Sequence, residues 1–210
     1  MKEQEIHQTA VLNSGFRMLQ DWVKPKLNNS ILSIDDFMDS LPDRIYIGPF
    51  AVIGSSCIFS ENVVIDEYCS IDPRVSIMEN TLVTYRASIG SGSKIGKNCI
   101  IGGFIPENCI IENECRVFGK LVHNHIDSTI SWDHHSIPEK SPIIRQNSFI
   151  GFNAVISGGL EIGPFSYVCA SSLITRDVPP YHIAHGENQI VHFNEWKGDL
   201  KNNPIFKLKL

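Results

Sequence analysis

Apolar residues recur at every sixth position over most of this chain of 210 residues, and this period restricts the possible folds more than any other feature. One unbroken series runs from Ile47 to Ile101, a shifted series starts at Ile105, and a last series runs from Ile144 to Ile174. A fixed short period indicates a solenoid, in which each unit buries its apolar face against the next. We therefore expect most apolar residues to form the core of one domain.

The position four residues after each apolar residue holds small or slim residues, beginning with Ala51, Cys57 and Val63. One large and one small inward residue in each unit suit a short strand followed by a corner. Three such units close a triangular coil of roughly 18 residues, and coils stack about 4.8 Å apart. Gly or Asp often follows the apolar residue, as at Gly48 and Asp66, and we expect these residues to allow the tight corners.

This pattern resembles the repeat of the hexapeptide-repeat family, in which a branched aliphatic residue is followed by a small or acidic one and, three places later, by another small one. The resemblance covers residues 45–186 and implies an all-β fold, a left-handed parallel β-helix, although parallel crossovers are generally right-handed. Helical spacing in residues 1–44 predicts a helical N-terminal cap over the open first coil. Residues 187–210 predict a C-terminal tail with a short amphipathic helix through Phe193, Trp196 and Leu200.

The composition argues against several classes of function. The chain carries a net charge of −5 and no basic patch, so we expect no nucleic-acid partner. No apolar run approaches the roughly 18 residues that would cross a bilayer, so we expect no membrane insertion. The N-terminal sequence MKEQEIHQTA lacks the apolar stretch of a secretion signal, and we expect a cytoplasmic protein.

The six cysteines fit the repeat better than they fit a metal site or a set of disulfides. Five of them occupy the small inward position: Cys57, Cys69, Cys99, Cys109 and Cys115. No two form a C-x-x-C pair, so we expect compact buried thiols in the core. The exception is Cys169, which follows an inward residue directly.

The period fails between Val117 and Ile144, and we predict an excursion loop over residues 118–143. Four of the eight histidines lie in it: His123, His125, His134 and His135. Because long irregular loops on a regular scaffold tend to contain functional residues, we expect this loop to contribute to the chemistry.

The sequence Asn124-His125-x-Asp127, followed by Trp132, resembles the excursion of hexapeptide acetyltransferases that act on galactosides and xenobiotics. The resemblance implies that His125 is the general base, because it precedes Ile150 by the 25 residues that separate the two positions in those enzymes. A neutral imidazole can remove a hydroxyl proton near neutral pH. Asp127 or a backbone carbonyl would orient the ring.

His123 is a second candidate for the base, although it stands six residues after Val117 and could instead point inward. The same resemblance implies an acceptor pocket that comprises His123, Asn124, Trp132, His134 and His135. The indole of Trp132 suits the apolar face of a sugar or drug ring, and the alternative is that it only fixes the loop to the wall.

The C-terminal coils resemble the terminal block of the same acetyltransferases, in which coenzyme A lies in a groove between two subunits of a trimer. The resemblance therefore implies acetyl-CoA as co-substrate and a homotrimer. The matching positions imply four cofactor-binding residues: Phe152, Ala170, Thr175 and Arg176. Two departures weaken the match: Phe152 stands where a small polar residue is common, and residues 184–188 read Ala-His-Gly-Glu-Asn in place of Ala-Gly-Asn-Pro-Ala.

The sequence thus favours direct transfer of an acetyl group to a hydroxyl or amine of a sugar, a nucleotide-sugar or another small polar acceptor, with no metal. One alternative is a metalloenzyme of the γ-carbonic-anhydrase type, whose zinc needs a histidine well upstream of two others. The chain has no histidine between Asn28 and Leu121. The other alternative is a non-catalytic scaffold or binding trimer.

Overall fold

The structure is a computed structural model that describes residues 41–123 and 139–207. The predicted helical cap over residues 1–44 therefore lies almost entirely outside the described residues. The described part is an all-β parallel solenoid of about seven turns. It confirms the predicted fold class and agrees with the left-handed coil that the resemblance implies.

Three sheets form the walls of the solenoid, and their strands are numbered in chain order. Sheet A contains β1 (Tyr46–Ile47), β4 (Val64–Ile65), β7 (Leu82–Val83), β10 (Ile100–Ile101), β13 (Arg116–Val117), β16 (Phe149–Ile150), β19 (Tyr167–Val168), β21 (His182–His185) and β22 (Gln189–His192). Sheet B contains β2 (Val52–Ile53), β5 (Ser70–Ile71), β8 (Ser88–Ile89), β11 (Phe104–Ile105), β14 (Lys120–Leu121), β17 (Val155–Ile156) and β20 (Leu173–Ile174). Sheet C contains β3 (Ile58–Phe59), β6 (Ser76–Ile77), β9 (Lys94–Ile95), β12 (Ile110–Ile111), β15 (Ile143–Ile144) and β18 (Glu161–Ile162).

The second residue of most strands points into the solenoid and forms its core. Successive coils place these residues in register, as Ile65 on Val83 and Ile150 on Val168 show. They are fully buried except in the first coil, where Ile47 keeps 47% of its surface exposed. The six-residue period of the sequence thus reflects the spacing of the inward residues that form the core.

The phase slip after Ile101 is a corner shortened by two residues, and a second shortened corner follows Val117. There, Leu121 of β14 is the next inward residue and is fully buried. The irregular segment therefore starts at Val122 rather than at residue 118. It ends before Ile143, where β15 begins. The sequence did not reveal the inward position of Leu121, because a step of four residues interrupts the period of six.

The small inward position links each coil to the next. Its hydroxyl and thiol groups donate hydrogen bonds to corner carbonyls of the following coil: Thr81 to Gly96 (2.9 Å), Ser93 to Pro106 (2.7 Å), Cys99 to Glu112 (3.1 Å), Cys109 to Pro142 (3.0 Å), Cys115 to Arg145 (3.1 Å) and Ser148 to Gly163 (2.9 Å). Burial raises the pKa of the Cys109 thiol to about 12, which keeps it protonated and able to donate. Core placement of the cysteines is confirmed, and these bonds explain why Ser, Thr and Cys recur there.

The corner prediction was wrong in one detail. The left-handed backbone conformation falls three places after the inward residue, often on asparagine, as at Asn62 and Asn80. The glycine directly after the inward residue serves a different purpose: a Cβ on Gly151 would lie 2.5 Å from the backbone nitrogen of Ala170 in the next coil. Such glycines are needed because adjacent coils approach closely there.

The tail differs from the predicted single amphipathic helix. β22 folds back antiparallel on β21, and three 3-10 helices follow at Phe193–Glu195, Asp199–Asn202 and Pro204–Lys207. The extended backbone of Gly198 and the ring of Pro204 separate these short helices. Phe193 stacks on Phe206 at 4.9 Å between ring centroids, which closes the tail on itself.

One edge of the solenoid bears an ordered row of polar side chains in left-handed corners. Arg44 donates to Asn62 (2.6 Å), Asn62 donates to Asn80 (3.2 Å), and Asn98 donates to Glu114 (2.6 Å). Within the described residues, the second carboxyl oxygen of Glu114 is buried without a hydrogen-bond partner. Burial accordingly raises the pKa of Glu114 to about 7.

Glu114 should make the stability of the fold depend on pH. The folded state binds the proton of Glu114 more tightly than the unfolded state does. The contribution of protonated Glu114 to the stability of the fold is therefore complete below the ordinary carboxyl pKa of 4.5, and it is lost as the pH rises towards 7. We expect Glu114→Gln, which keeps an oxygen for Asn98 without a charge, to unfold at a higher temperature than wild type at pH 8 and to lose the advantage at pH 5. Thermal unfolding at both pH values measures this.

The matched control is Glu107→Gln, because Glu107 is an exposed carboxylate at another corner. The control should leave the pH dependence of the melting temperature unchanged. A wild-type dependence that persists in Glu114→Gln would contradict the role assigned to this carboxyl.

Candidate functional site

The excursion leaves the solenoid at the corner between sheets B and C, after β14, and returns before β15. Its described ends are anchored to the wall: the Val122 amide donates to the Ile156 carbonyl (2.9 Å), and the Ser141 hydroxyl donates to the Glu107 carbonyl. The loop therefore starts and ends at one edge of sheet B.

His123 is the described histidine of the predicted site. It does not point into the core: its side chain is about half exposed, and its Nε2 lies 2.7 Å from Oε2 of Glu139 at the returning end of the loop. Because Leu121 takes the inward position, His123 falls on the corner instead. The sequence reasoning missed Glu139, whose position 16 residues later gave no signal of this pairing.

The other predicted catalytic and acceptor residues lie outside the described residues. They are Asn124, His125, Asp127, Trp132, His134 and His135. Their roles remain predictions from the sequence.

Two predicted cofactor residues share the corner between sheets A and B. Ala170 lies directly above Gly151, and the Ser171 amide donates to the Phe152 carbonyl (2.9 Å). Phe152 is exposed and stacks on Phe118, with ring centroids 4.5 Å apart. Phe118 belongs to the second shortened corner. The phenylalanine that departs from the family pattern is thus supported from below by an aromatic neighbour.

The other two predicted cofactor residues share the corner between sheets B and C, and Asn188 joins them. Its side chain accepts from the Thr175 amide (2.8 Å) and donates to the Thr175 hydroxyl (2.7 Å). Its backbone carbonyl accepts from the Arg176 guanidinium (2.6 Å). Asn188 is in the departure at residues 184–188, so this departure organises the corner. The only sign of this role in the sequence was that residues 184–188 differ from the family pattern.

The outer face of sheet B connects these two corners. Its C-terminal half presents the side chains of Lys120, Val155 and Leu173, which successive strands place in register. Lys120 and Leu173 are exposed. The face thus offers an apolar strip with one cation, flanked on one side by Phe152 and Ala170 and on the other by the groups at Thr175 and His123.

Cys169 is the thiol nearest to these residues in sequence. Burial raises the pKa of the Cys169 thiol. The thiol is therefore protonated near neutral pH and is a poor nucleophile, since the thiolate is the reactive form.

Among residues 41–123 and 139–207, no three His, Cys, Asp or Glu side chains are grouped so that they could hold a metal ion. In those two segments, no helix has the length and apolar character that crossing a bilayer requires.

Asn188 should hold the corner at Thr175 in place. Its backbone is left-handed (φ 54°), so Asn188→Gly keeps the conformation and removes only the side-chain bonds. We expect the Thr175 amide to exchange with deuterium about tenfold faster, which corresponds to the loss of one hydrogen bond of about 1.4 kcal/mol. The Cys169 amide, which donates to the Ala184 carbonyl, is the internal control. Equal protection of Thr175 in both proteins would contradict this role.

Curated proteins similar to this chain include a serine acetyltransferase and the bifunctional protein GlmU. No established family profile matches the chain. A serine acetyltransferase of Buchnera aphidicola subsp. Schizaphis graminum is 32% identical over 111 residues, which are 53% of this chain and 40% of that protein. The bifunctional protein GlmU of Acetivibrio thermocellus is 24% identical over 196 residues, 91% of this chain and 36% of that protein. The chain thus spans about 40% or less of the length of these relatives.

Comparison with solved structures gives matches of low sequence identity. The acetyltransferase domain of PglB from Neisseria gonorrhoeae, in complex with acetyl coenzyme A, is 13% identical and has a TM-score of 0.45, with 80% of this chain and 64% of that chain covered. The period of six, the three-walled solenoid and the curated relatives agree. The chain has a six-residue repeat and resembles the hexapeptide-repeat acyltransferases in sequence.

Proposed function

We propose that this protein is a coenzyme A-dependent acyltransferase that moves an acetyl group from acetyl-CoA to a small polar acceptor. The observation that carries the proposal is the outer face of sheet B, where Phe152, Ala170, Thr175 and Arg176 flank one apolar strip. The curated relatives are a serine acetyltransferase and GlmU, and sequence identity to the first extends over half of this chain.

Residues on this face and at its corners suit the chemical parts of acetyl-CoA. Leu173 and the corner at Ala170 offer apolar and slender contacts for the pantetheine arm. Arg176 and Lys120 offer positive charge for the phosphates. Arg176 is held through one nitrogen by the Asn188 carbonyl, which leaves its remaining N–H groups to face a ligand.

His125 is the proposed general base, on the strength of its sequence position. The acceptor oxygen or nitrogen attacks the thioester carbonyl, a C–O or C–N bond forms, and the C–S bond breaks. His125 takes the proton from the acceptor and returns it to the leaving coenzyme A thiolate. Such a base typically contributes 10²–10⁴-fold to the rate. The protonated Cys169 thiol supports direct transfer without an acyl-enzyme.

The acceptor, assembly and location complete the proposal. A sugar or nucleotide-sugar hydroxyl or amine is the proposed acceptor, with Asn124, Trp132, His134 and His135 as its pocket, and Asp127 as the group that orients His125. A cytoplasmic homotrimer is the proposed assembly, since the acyl-donor groove of such enzymes lies between two subunits. PglB's acetyltransferase domain, which is solved with acetyl coenzyme A, has the same kind of donor.

The histidine assignment is tested by thiol release from acetyl-CoA in the presence of a panel of sugars, amino sugars and nucleotide-sugars. We expect wild type to turn over at least one of them and His125→Ala to be at least a hundredfold slower, because proton removal is lost. The melting temperature of the variant should match that of wild type.

His123→Ala, two residues away, separates the two candidates for the base: its kcat should stay within a few-fold of wild type, even where the KM for the acceptor rises because His123 lines the acceptor pocket. If His123→Ala is the slow variant, His123 is the base. If both variants turn over normally, the assignment of a loop histidine is wrong.

A further inference from the structure

A contact between His123 and Glu139 joins the point where the excursion leaves the wall to the point where it returns. Nε2 of His123 lies 2.7 Å from Oε2 of Glu139, which is a normal distance for a hydrogen bond to a carboxylate. Solvent reaches both side chains, since 45% of the His123 side chain and 27% of the Glu139 side chain are exposed. The pair is therefore accessible to a ligand.

The solenoid wall holds both partners of this pair. The Val122 amide, directly before His123, donates to the Ile156 carbonyl (2.9 Å). On the returning side, the Pro142 carbonyl accepts from the buried Cys109 thiol (3.0 Å). Each partner is thus a few residues from a bond to the wall, so the solenoid sets where the two side chains meet.

Glu139 determines which nitrogen of the neutral His123 ring carries the hydrogen. An ionised carboxylate only accepts hydrogen bonds, so the short contact requires the hydrogen on Nε2. A neutral imidazole has one ring N–H, so Nδ1 keeps its lone pair and is an acceptor. Among the described residues, the contact with Glu139 is the only polar contact of this ring. Nδ1 is therefore available to a donor group of a ligand.

His123 lies on the same corner as Arg176, a residue of the proposed donor site. The inward residues Leu121, Ile156 and Ile174 are in register on three successive coils, which places His123 two coils below Arg176. Two coil spacings are about 10 Å. A small acceptor bound at His123 is thus close to an acyl donor bound along sheet B.

A fixed lone pair on Nδ1 selects for a particular kind of acceptor. The group that is acylated loses its hydrogen to the general base during the reaction, so it cannot be the group that donates to His123 throughout. The donor must be a second hydroxyl or amine of the same molecule. A site built to bind a hydroxyl rejects an analogue that lacks it much more strongly than an apolar pocket rejects a change of size.

We propose that His123 binds a second hydroxyl or amine of the acceptor through Nδ1, and that Glu139 is the positioning residue that keeps this nitrogen free of hydrogen. The acceptor is then a polyhydroxylated or amino-hydroxylated molecule, such as a sugar, with a donor group near the one that is acylated. This inference rests on the proposed acyl transfer.

Nitrogen NMR of the full-length protein with ¹⁵N-labelled imidazole rings tests the role of Glu139 without an acceptor. Above pH 8, where histidines are ordinarily neutral, we expect the His123 ring to carry its hydrogen on Nε2. The signal is identified by its absence from His123→Ala. Glu139→Gln should give a mixture of the two tautomers, because an amide can either accept from Nε2 or donate to it.

Glu107→Gln is the matched control for the NMR experiment, because Glu107 is an exposed carboxylate at the same edge of the solenoid. The control should leave the His123 signal unchanged. A hydrogen on Nδ1 in wild type, or an unchanged tautomer in Glu139→Gln, would overturn the positioning role of Glu139.

Steady-state kinetics with the sugar that wild type acetylates fastest test the contact with the acceptor. We expect Glu139→Gln and His123→Ala each to raise the acceptor KM, the latter at least tenfold, and to leave kcat within a few-fold, because a binding contact is lost. Adding Glu139→Gln to His123→Ala should have no further effect, since Glu139 acts through His123. A deoxy analogue that lacks the bound hydroxyl should have the same KM in wild type and in His123→Ala.

The kinetic outcomes separate this inference from the proposed function. An unchanged acceptor KM in both variants, a further loss when the two changes are combined, or a fall in kcat at constant KM would overturn the acceptor contact while acyl transfer itself stands. If wild type acetylates no acceptor, acyl transfer fails and this inference fails with it, whatever tautomer the NMR spectrum shows.

Discussion

The close stacking of one coil on the next is the constraint on which the rest of this structure depends. Backbone amides donate to carbonyls of the following coil, and buried Ser, Thr and Cys side chains add a second set of bonds to its corners. Neighbouring backbones come so close that a Cβ on Gly103 would overlap the Gly119 carbonyl oxygen at 1.8 Å. Residue choice at the inward and corner positions is thereby fixed over most of the chain, and freedom for function remains where the repeat is interrupted.

Three interruptions surround one surface. The shortened corners bring Phe118 beneath Phe152, the excursion leaves the wall at His123, and the final hairpin supplies Asn188 to the corner of Thr175 and Arg176. All of them lie along the edges of sheet B. A regular solenoid presents equivalent corners at every coil, so the clustering of irregular ones on a single face distinguishes that face as the place where a ligand would be recognised.

The sequence predicted the solenoid well because the inward residues obey a strict period that only stacking can explain. The sequence did not predict that Leu121 points inward, because Leu121 follows Val117 by four residues instead of six. His123 was consequently placed wrongly relative to the wall. The sequence did not predict the role of Asn188, because its hydrogen bonds to Thr175 depend on a hairpin. That hairpin brings together two residues that are 13 positions apart in the chain. Contacts of this kind, like that between His123 and Glu139, follow from three-dimensional closure and leave no local pattern.

Calorimetric titration of acetyl-CoA into the full-length protein tests the acyl-donor site most directly. Sheet B and its two corners predict a single class of site. Leu173→Glu, which places a negative charge on the strip, should weaken binding at least tenfold. Ligand at a hundred times its Kd should also stabilise the fold by about 2.7 kcal/mol. No heat of binding at millimolar acetyl-CoA, or equal affinity in wild type and Leu173→Glu, would contradict the assignment of this face to the acyl donor.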